Sequence, residues 1–191
     1  MPQINQPVLD FLLSRRSRPA KTLSAPAPGR RELAPILQAA ARVPDHGKLV
    51  PWRFVILEKP ALKRLVAAIP GRAAELELPE WKGRSVAELY DEAELVVAVI
   101  SAPKEGNIPQ IEQIYSAGAV CLSLLNAALA SGWGANWISG WISHDAKLMQ
   151  ETLGIVSGET VAGLIHLGTE TVAPPERPRP EIEEITTWMS E

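Results

Sequence analysis

Between Glu112 and Asp145 no residue carries a formal charge, apart from titration at His144. Around and within this stretch Ile111, Ile114, Tyr115, Gly118, Leu122, Leu125 and Leu129 recur every three or four positions, the spacing of one helix face. Val120, Leu124 and Ala128 make the opposite side apolar too, and a helix that is apolar all round belongs at the centre of a fold. A membrane span needs ~20 mostly apolar residues. Here Ser116, Gly118, Ser123, Asn126 and Ser131 interrupt the pattern, and its dense part covers only Gly118 to Ala130. The reading is a buried core helix with no membrane role. Gly132-Trp-Gly134 ends it, because glycine accepts the left-handed conformation after a helix.

The rest of the chain must wrap that helix. Leu95–Ile100 and Val161–Leu167 are short, continuous apolar runs and read as buried strands, with Arg53–Leu57 as a third. Helical spacing appears over 7–14 (Val8, Leu9, Leu12, Leu13), Leu33–Ala41 up to Pro44, Leu62–Ile69 closed by Pro70-Gly71, 84–93 and 145–153. Pro19–Gly29 reads as a loop, and 76–83 has no period. The tail Pro174–Pro180 must run extended, followed by a last amphipathic turn with Ile182, Ile185 and Trp188. Few strands, far apart in sequence, around one long helix predict an α+β fold, with a doubly wound α/β sheet as the weaker choice. No repeat or long linker divides the 191 residues, so 1–191 is expected to be one domain.

Composition removes several functions. Nineteen Lys+Arg against 22 Asp+Glu give no basic excess for nucleic acid. The lone cysteine, Cys121, cannot form an internal disulfide. His46, His144 and His166 show no metal spacing, and neither a nucleophile triad nor a carboxylate dyad is visible. The N-terminal residues lack a basic leader region, so the expected location is the cytoplasm.

Three segments stand out. Arg15, Arg16, Arg18, Lys21, Arg30 and Arg31 face only Asp10 in the first 31 residues, and Arg177 and Arg179 lie between prolines near the other end. Arginine forks match phosphate oxygens, so the two ends could hold one phosphate-bearing ligand; the alternative is a solvated basic face. The Pro-bracketed loop from Ala41 to Phe54 carries Arg42, Asp45, His46 and Lys48; Asp45 equally suits a turn and Trp52 a core position. Trp133, Trp137 and Trp141 recur every four residues among Gly132, Gly134 and Gly140, either as core residues or along the edge of a flat ring. Gly132-x-Gly134 is no dinucleotide fingerprint: Trp137 replaces the third glycine, and a helix, not a strand, precedes it.

Taken in order, Arg15-Arg-Ser17, Ala41-Arg-Val-Pro-Asp-His46 with Pro51-Trp-Arg-Phe54, Gly-Trp-Gly134 through Trp137-x-Ser-Gly140, His166-Leu-Gly168 and the Arg177-Pro-Arg-Pro tail ending at Trp188 resemble the FMN-dependent nitroreductase family, specifically its short single-domain members. The resemblance implies a three-layer sandwich, a central antiparallel or mixed sheet flanked by helices, working as an intertwined homodimer with two interfacial FMN sites. It implies FMN contacts at Arg15, Arg16, Ser17, Arg42 and His46, at Trp137, Ile138 and Ser139 from the partner subunit, and at Arg177 and Arg179 near the phosphate. Leu129, Ala130, Ser131, Gly132, Trp133 and Gly134 match the segment assigned to the nicotinamide cofactor. Similar proteins often carry a basic residue where this chain has Ile138, so that contact would come from the backbone alone.

The implied activity is oxidation of NADH or NADPH and reduction of a nitroaromatic or quinone-like acceptor in a ping-pong scheme. The flavin carries the chemistry, so no catalytic side chain and no metal are expected. Arg15, Arg16 or Arg42 would stabilise charge near flavin N1 and O2. The alternatives are another reaction on the same scaffold (dehalogenation, ene reduction, flavin breakdown) or a non-catalytic flavin-binding dimer.

Overall fold

A computed structural model describes residues 3–190. Its elements, in chain order, are α1 (Gln6–Ser14), β1 (Leu23–Ser24), α2 (Arg30–Ala40), β2 (Trp52–Leu57), α3 (Lys59–Glu75), α4 (Glu80–Asp91), β3 (Leu95–Ser101), α5 (Gln110–Ala130), β4 (Gly134–Ile138), α6 (Trp141–His144), α7 (Ala146–Leu153) and β5 (Thr160–Glu170). Single 3-10 turns at Ala20–Thr22, His46–Lys48 and Ile182–Ile185 complete them.

The strands form one five-stranded sheet in which every pairing is antiparallel, so the fold is α+β and the doubly wound alternative falls. β5 is the hub, pairing with β3, β4 and, at its C-terminal end, β1. β3 is buried at every position, which is why it reads as a continuous apolar run rather than an alternating one. Its side chains divide by parity. Leu95, Val97 and Val99 join a core with Leu33, Ile36, Val120, Cys121 and Leu124 of α2 and α5. Val96, Ala98 and Ile100 join a second core with Leu62, Leu65, Ile69, Leu148 and Met149 of α3 and α7. The result is three layers: α2 and α5, the sheet, then α3, α4 and α7.

Two glycines set the corner where β1 meets β5. Gly134 lies opposite Gly168. A Cβ on Gly134 would come within 2.4 Å of Leu23 Cδ2, and one on Gly168 within 2.9 Å of the Ser24 carbonyl. Only glycine leaves room there for the backbones to approach.

Several expectations change. The predicted 19–29 loop contains β1, too short for any periodicity. α3 runs through Pro70 and Gly71 to Glu75, although proline lacks the N–H that the ladder uses. Tertiary contact offsets this local penalty: Ile69 and Ala73 are buried, and Gly83 of α4 sits close enough to Ala73 that a Cβ would approach it to 2.9 Å. That helix pair also gives order to 80–83, where the sequence shows no period. On the α3 side, Arg72 forks onto Asp145 (2.9 and 2.8 Å), and Asp145 caps α7 by accepting from Leu148 N–H at 2.7 Å.

The largest change concerns α5. Its length and hydropathy alone would allow a membrane span, but Ala117, Val120, Cys121, Leu124, Leu125 and Ala128 pack on the sheet. The expectation of a fully surrounded helix is wrong for the single chain: Ile111, Ile114, Tyr115 and Leu122 face outward at 41–67% exposure. α1 buries nothing, and Ile182, Ile185, Trp188 and Met189 of the tail are exposed as well.

Candidate functional site

The segment after α1 is extended and half-buried, and it is pinned in place by Arg18 N–H, which donates to Ala135 O at 2.8 Å in β4. The tail leaves β5 beside the same region, with Thr171 N–H donating to Thr22 O at 2.9 Å. It then returns to the arginines. Arg16 Nη1 donates to Pro175 O and, at 3.3 Å, to Glu176 Oε1. Arg179 Nη2 lies 3.6 Å from the same carboxylate. The two chain ends therefore do converge. Burial first, then the charges of Arg179 and Arg16, hold the Arg15 pKa below the ordinary guanidinium value. Arg15 Nη1 is buried without a partner in the protein. Two guanidinium groups, Arg16 and Arg179, share one exposed carboxylate, and the charge of Arg15 acts on both, which leaves an excess of positive charge suited to a dianion. The Arg177 side chain is exposed, and its backbone N–H donates to Glu176 at 2.8 Å.

Arg15 and Arg16 share a cleft of about 320 Å³ with Phe11, Ser14, Arg18, Leu129, Gly132, Trp133 and Glu170. The expected nicotinamide segment is thus next to the arginines. Its shape comes from the end of α5, where Ser131 caps, Gly132 adopts φ 84° and Trp133 N–H returns to Ala128 O. Ala130 and Ser131 are exposed. Larger hollows exist, among them an apolar groove of about 470 Å³ between α3 and α4. None of the motif residues line it.

Trp137 lies on β4 with its indole over Gly163, where a Cβ would come within 2.2 Å of its Nε1 and 3.0 Å of Cys121 Sγ. It is 38% exposed, half-buried Ile138 pairs with Leu164, and Ser139 is exposed. The three tryptophans form no helical stripe: Trp133 closes a helix, Trp137 is in a strand, and Trp141 opens α6 against the α3–α7 core. Trp141 is therefore a core residue. Burial pushes the Cys121 thiol up to about 12, so it stays protonated near neutrality.

Arg42 and His46 occupy a different place. Arg42 is exposed just beyond α2. His46 opens a tight loop in which Gly47 (φ 75°), Lys48 (φ 55°) and Val50 (φ 49°) all lie in the left-handed region. For the β-branched Val50 this costs on the order of 1–3 kcal/mol. Asp45 holds the loop by accepting from Leu49 N–H (3.1 Å) and Val50 N–H (2.8 Å), and Ser116 Oγ donates to Pro44 O at 2.9 Å. His46 Nδ1 pairs with Glu112 Oε2 at 2.6 Å. Seventeen positions of α5 separate Glu112 from Leu129, roughly 25 Å of helix at 1.5 Å per residue. Within one chain His46 and the Arg15–Arg16 cleft therefore lie at opposite ends of α5, with Trp137 beside Cys121 between them.

The profile of the Nitroreductase family matches residues 12–169. The chain belongs to the nitroreductase family. A Haemophilus influenzae relative named "Putative NAD(P)H nitroreductase" is 35% identical over 164 residues, covering 84% of this chain and 87% of the relative. The "Nitroreductase-like Family Protein" from Bacillus cereus superposes with a TM-score of 0.82 at 21% identity, with 100% of each chain covered. A Desulfovibrio desulfuricans structure named "putative nitroreductase in complex with fmn" gives 0.75 at 21% identity, covering 98% of this chain and 99% of that one. These neighbours share the nitroreductase fold.

In this nitroreductase-family chain, sequence reasoning missed three acidic partners, Glu170, Glu176 and Glu112. Arg18 Nε lies 2.9 Å from Glu170 Oε2, at an angle that makes an ion pair without a hydrogen bond. Glu176 and Glu112 each engage a predicted basic residue. Glu176 had a signal, as the only acid among the tail arginines and prolines. Glu112, at the border of the uncharged stretch, had none. Among the described residues, no three His, Cys, Asp or Glu side chains gather to hold a metal.

Proposed function

We propose that this chain is a cytoplasmic, single-domain, FMN-dependent oxidoreductase that takes electrons from NADH or NADPH and reduces nitroaromatic or quinone-like acceptors. One observation supports the reading: Arg16 from one end of the chain and Arg179 from the other meet around a single anionic group, beside an Arg15 whose own pKa their charges lower. The residues fit the cofactor's phosphate, since the orphaned Arg15 Nη1 and the excess of positive charge call for an anion. FMN, when bound, supplies the redox chemistry, accepting hydride from a nicotinamide and passing two electrons on. Arg15, Arg16 and Arg179 hold the phosphate, and Ser17 adds a hydroxyl donor. A guanidinium from Arg15, Arg16 or Arg42 offsets the negative charge that reduction places on the ring edge. Trp133 and Trp137 offer flat faces for an aromatic acceptor, and the 129–134 turn is the proposed nicotinamide seat. Trp137, Ile138 and Ser139 would contact the flavin through backbone and ring, without the basic side chain that Ile138 displaces.

A homodimer completes the proposal. His46 and the arginine cleft, at opposite ends of α5, meet only if a second copy contributes its His46 and Arg42. The outward face of α5, all of α1 and the apolar tail provide the surface for such a dimer.

The purified protein is expected to absorb near ~450 nm, as flavins do. Addition of NADH or NADPH under nitrogen should bleach the band, and a nitroaromatic should restore it. A colourless protein that takes up no FMN refutes the cofactor assignment. Bleaching that no nitro compound or quinone reverses refutes the acceptor class. A stable monomer with bound flavin in sedimentation refutes the dimer. Unchanged acceptor kcat/KM in Trp133→Ala and Trp137→Ala removes the role given to those rings.

A further inference from the structure

The two strongest polar contacts to the His46 loop come from the first two turns of α5. Ser116 Oγ holds the Pro44 carbonyl at 2.9 Å, and Glu112, one turn earlier on the same face, reaches the imidazole itself at 2.6 Å. The side of the loop is closed by Ile108, whose Cγ1 would lie 3.2 Å from a Cβ on Gly47. The backbone around the ring is also fixed, with Gly47 and Lys48 in the left-handed region and Asp45 committed to two backbone N–H groups. The imidazole itself is 63% exposed, and Glu112 is its one side-chain partner in the protein.

A carboxylate offers only acceptors, so the ring nitrogen facing it must carry the proton. In a free neutral imidazole the proton prefers the other nitrogen, Nε2. We propose that Glu112 is a positioning residue that locks His46 in the Nδ1–H form and leaves Nε2 as its one free ring nitrogen, an acceptor in the neutral ring. The inference rests on the reading that His46 meets FMN. It also names what the ring would meet: a neutral imidazole with an accepting Nε2 suits an N–H of the flavin ring or a ribityl hydroxyl, and it does not suit the phosphate, which the arginines take. Carboxylate–histidine pairs of this kind orient the second nitrogen wherever it must bind in one direction.

The experiment pairs nitrogen-resolved NMR of His46 with FMN titration, in the full-length protein and in E112Q and E112A. Only three histidines, His46, His144 and His166, compete for assignment. The wild type is expected to show the Nδ1–H tautomer. E112Q should keep it, because the amide oxygen still accepts, and should bind FMN within about twofold of wild type. E112A should revert to Nε2–H and lose FMN affinity by about five- to tenfold, with thermal stability nearly unchanged. Inorganic phosphate should compete with FMN equally well in all three proteins, since the arginine cleft is untouched. An Nε2–H ring in the wild type, or an E112A protein with unaltered tautomer or FMN affinity, overturns the proposal. A wild type that binds no FMN overturns the cofactor reading and the flavin contact together, while the tautomer measurement still decides the Glu112–His46 lock.

Discussion

His166 is 2% exposed on β5, with its ring centroid 4.9 Å from that of Tyr90 and its Nε2 without a partner. Burial alone pulls its pKa down to about 4 from an ordinary 6.5. In the unfolded chain the imidazole takes a proton from about pH 6.5 downward, whereas the native one resists until about pH 4. Between those values the unfolded state binds more protons, so stability falls as the pH is lowered, and the fall levels off below the native pKa. The loss works out to about 2 kcal/mol between pH 7.5 and pH 5, and approaches about 3 kcal/mol below pH 4. The perturbation is H166F, close in shape, with no titrating group and no buried nitrogen to satisfy. Urea unfolding followed by circular dichroism, at equal flavin loading, gives the stability of both proteins at each pH. The gap between wild type and H166F should move by about 2 kcal/mol in favour of the variant on going to pH 5. Parallel pH dependences refute the argument: the native ring would then be charged or solvated.

Three other perturbations test separate parts of the structure. E176Q removes the carboxylate that Arg16 and Arg179 share, which in the proposed site would compete with the FMN phosphate. It should tighten FMN binding about two- to fivefold at low salt, read by flavin fluorescence, because exposed pairs are worth under ~1 kcal/mol; weaker binding contradicts the competition. G163A places a Cβ within 2.2 Å of Trp137 Nε1, so the indole must leave its seat. A shift in tryptophan emission and a loss of about 1–3 kcal/mol in urea are expected. D145A removes both the α7 cap and the fork to Arg72, and should cost about 2–3 kcal/mol by urea midpoint with the m-value unchanged.

The strands and helices that bury most of their surface were legible because burial leaves either an unbroken apolar run or a helical period in the sequence. Leu95–Ser101, α5 and α2 are the clearest cases. Where local chemistry and tertiary contact disagree, the sequence misleads. Pro70-Gly71 looks like a helix end, yet the α3–α4 contact at Ala73 and Gly83 carries the helix through. β1 is two residues long and is held by a glycine corner that no local pattern announces. The convergence of the two arginine-bearing ends could be anticipated from charge and proline placement. The separation of His46 from the arginine cleft could not, because it depends on where along α5 each loop is anchored. Ile111, Ile114, Tyr115 and Leu122 show the same limit: a sequence marks a face as apolar without saying whether its own chain covers it.

The hub position of β5 also governs when the protein can come into being on the ribosome. Leu23 waits for Glu170, Leu95 for Leu167, and Gly134 for Gly168. No two strands adjacent in the chain are joined by a tight hairpin, so the sheet must close over long loops, the slow kind of closure. At ~5–20 residues per second of synthesis, the N-terminal arginine segment spends most of translation without the strand that orders its surroundings or the tail that meets it. A nascent chain stopped before Thr160 has its helices and β2–β3 but no central strand. Loss of the last segment therefore takes away the tail arginines and three of the four strand pairings in a single event.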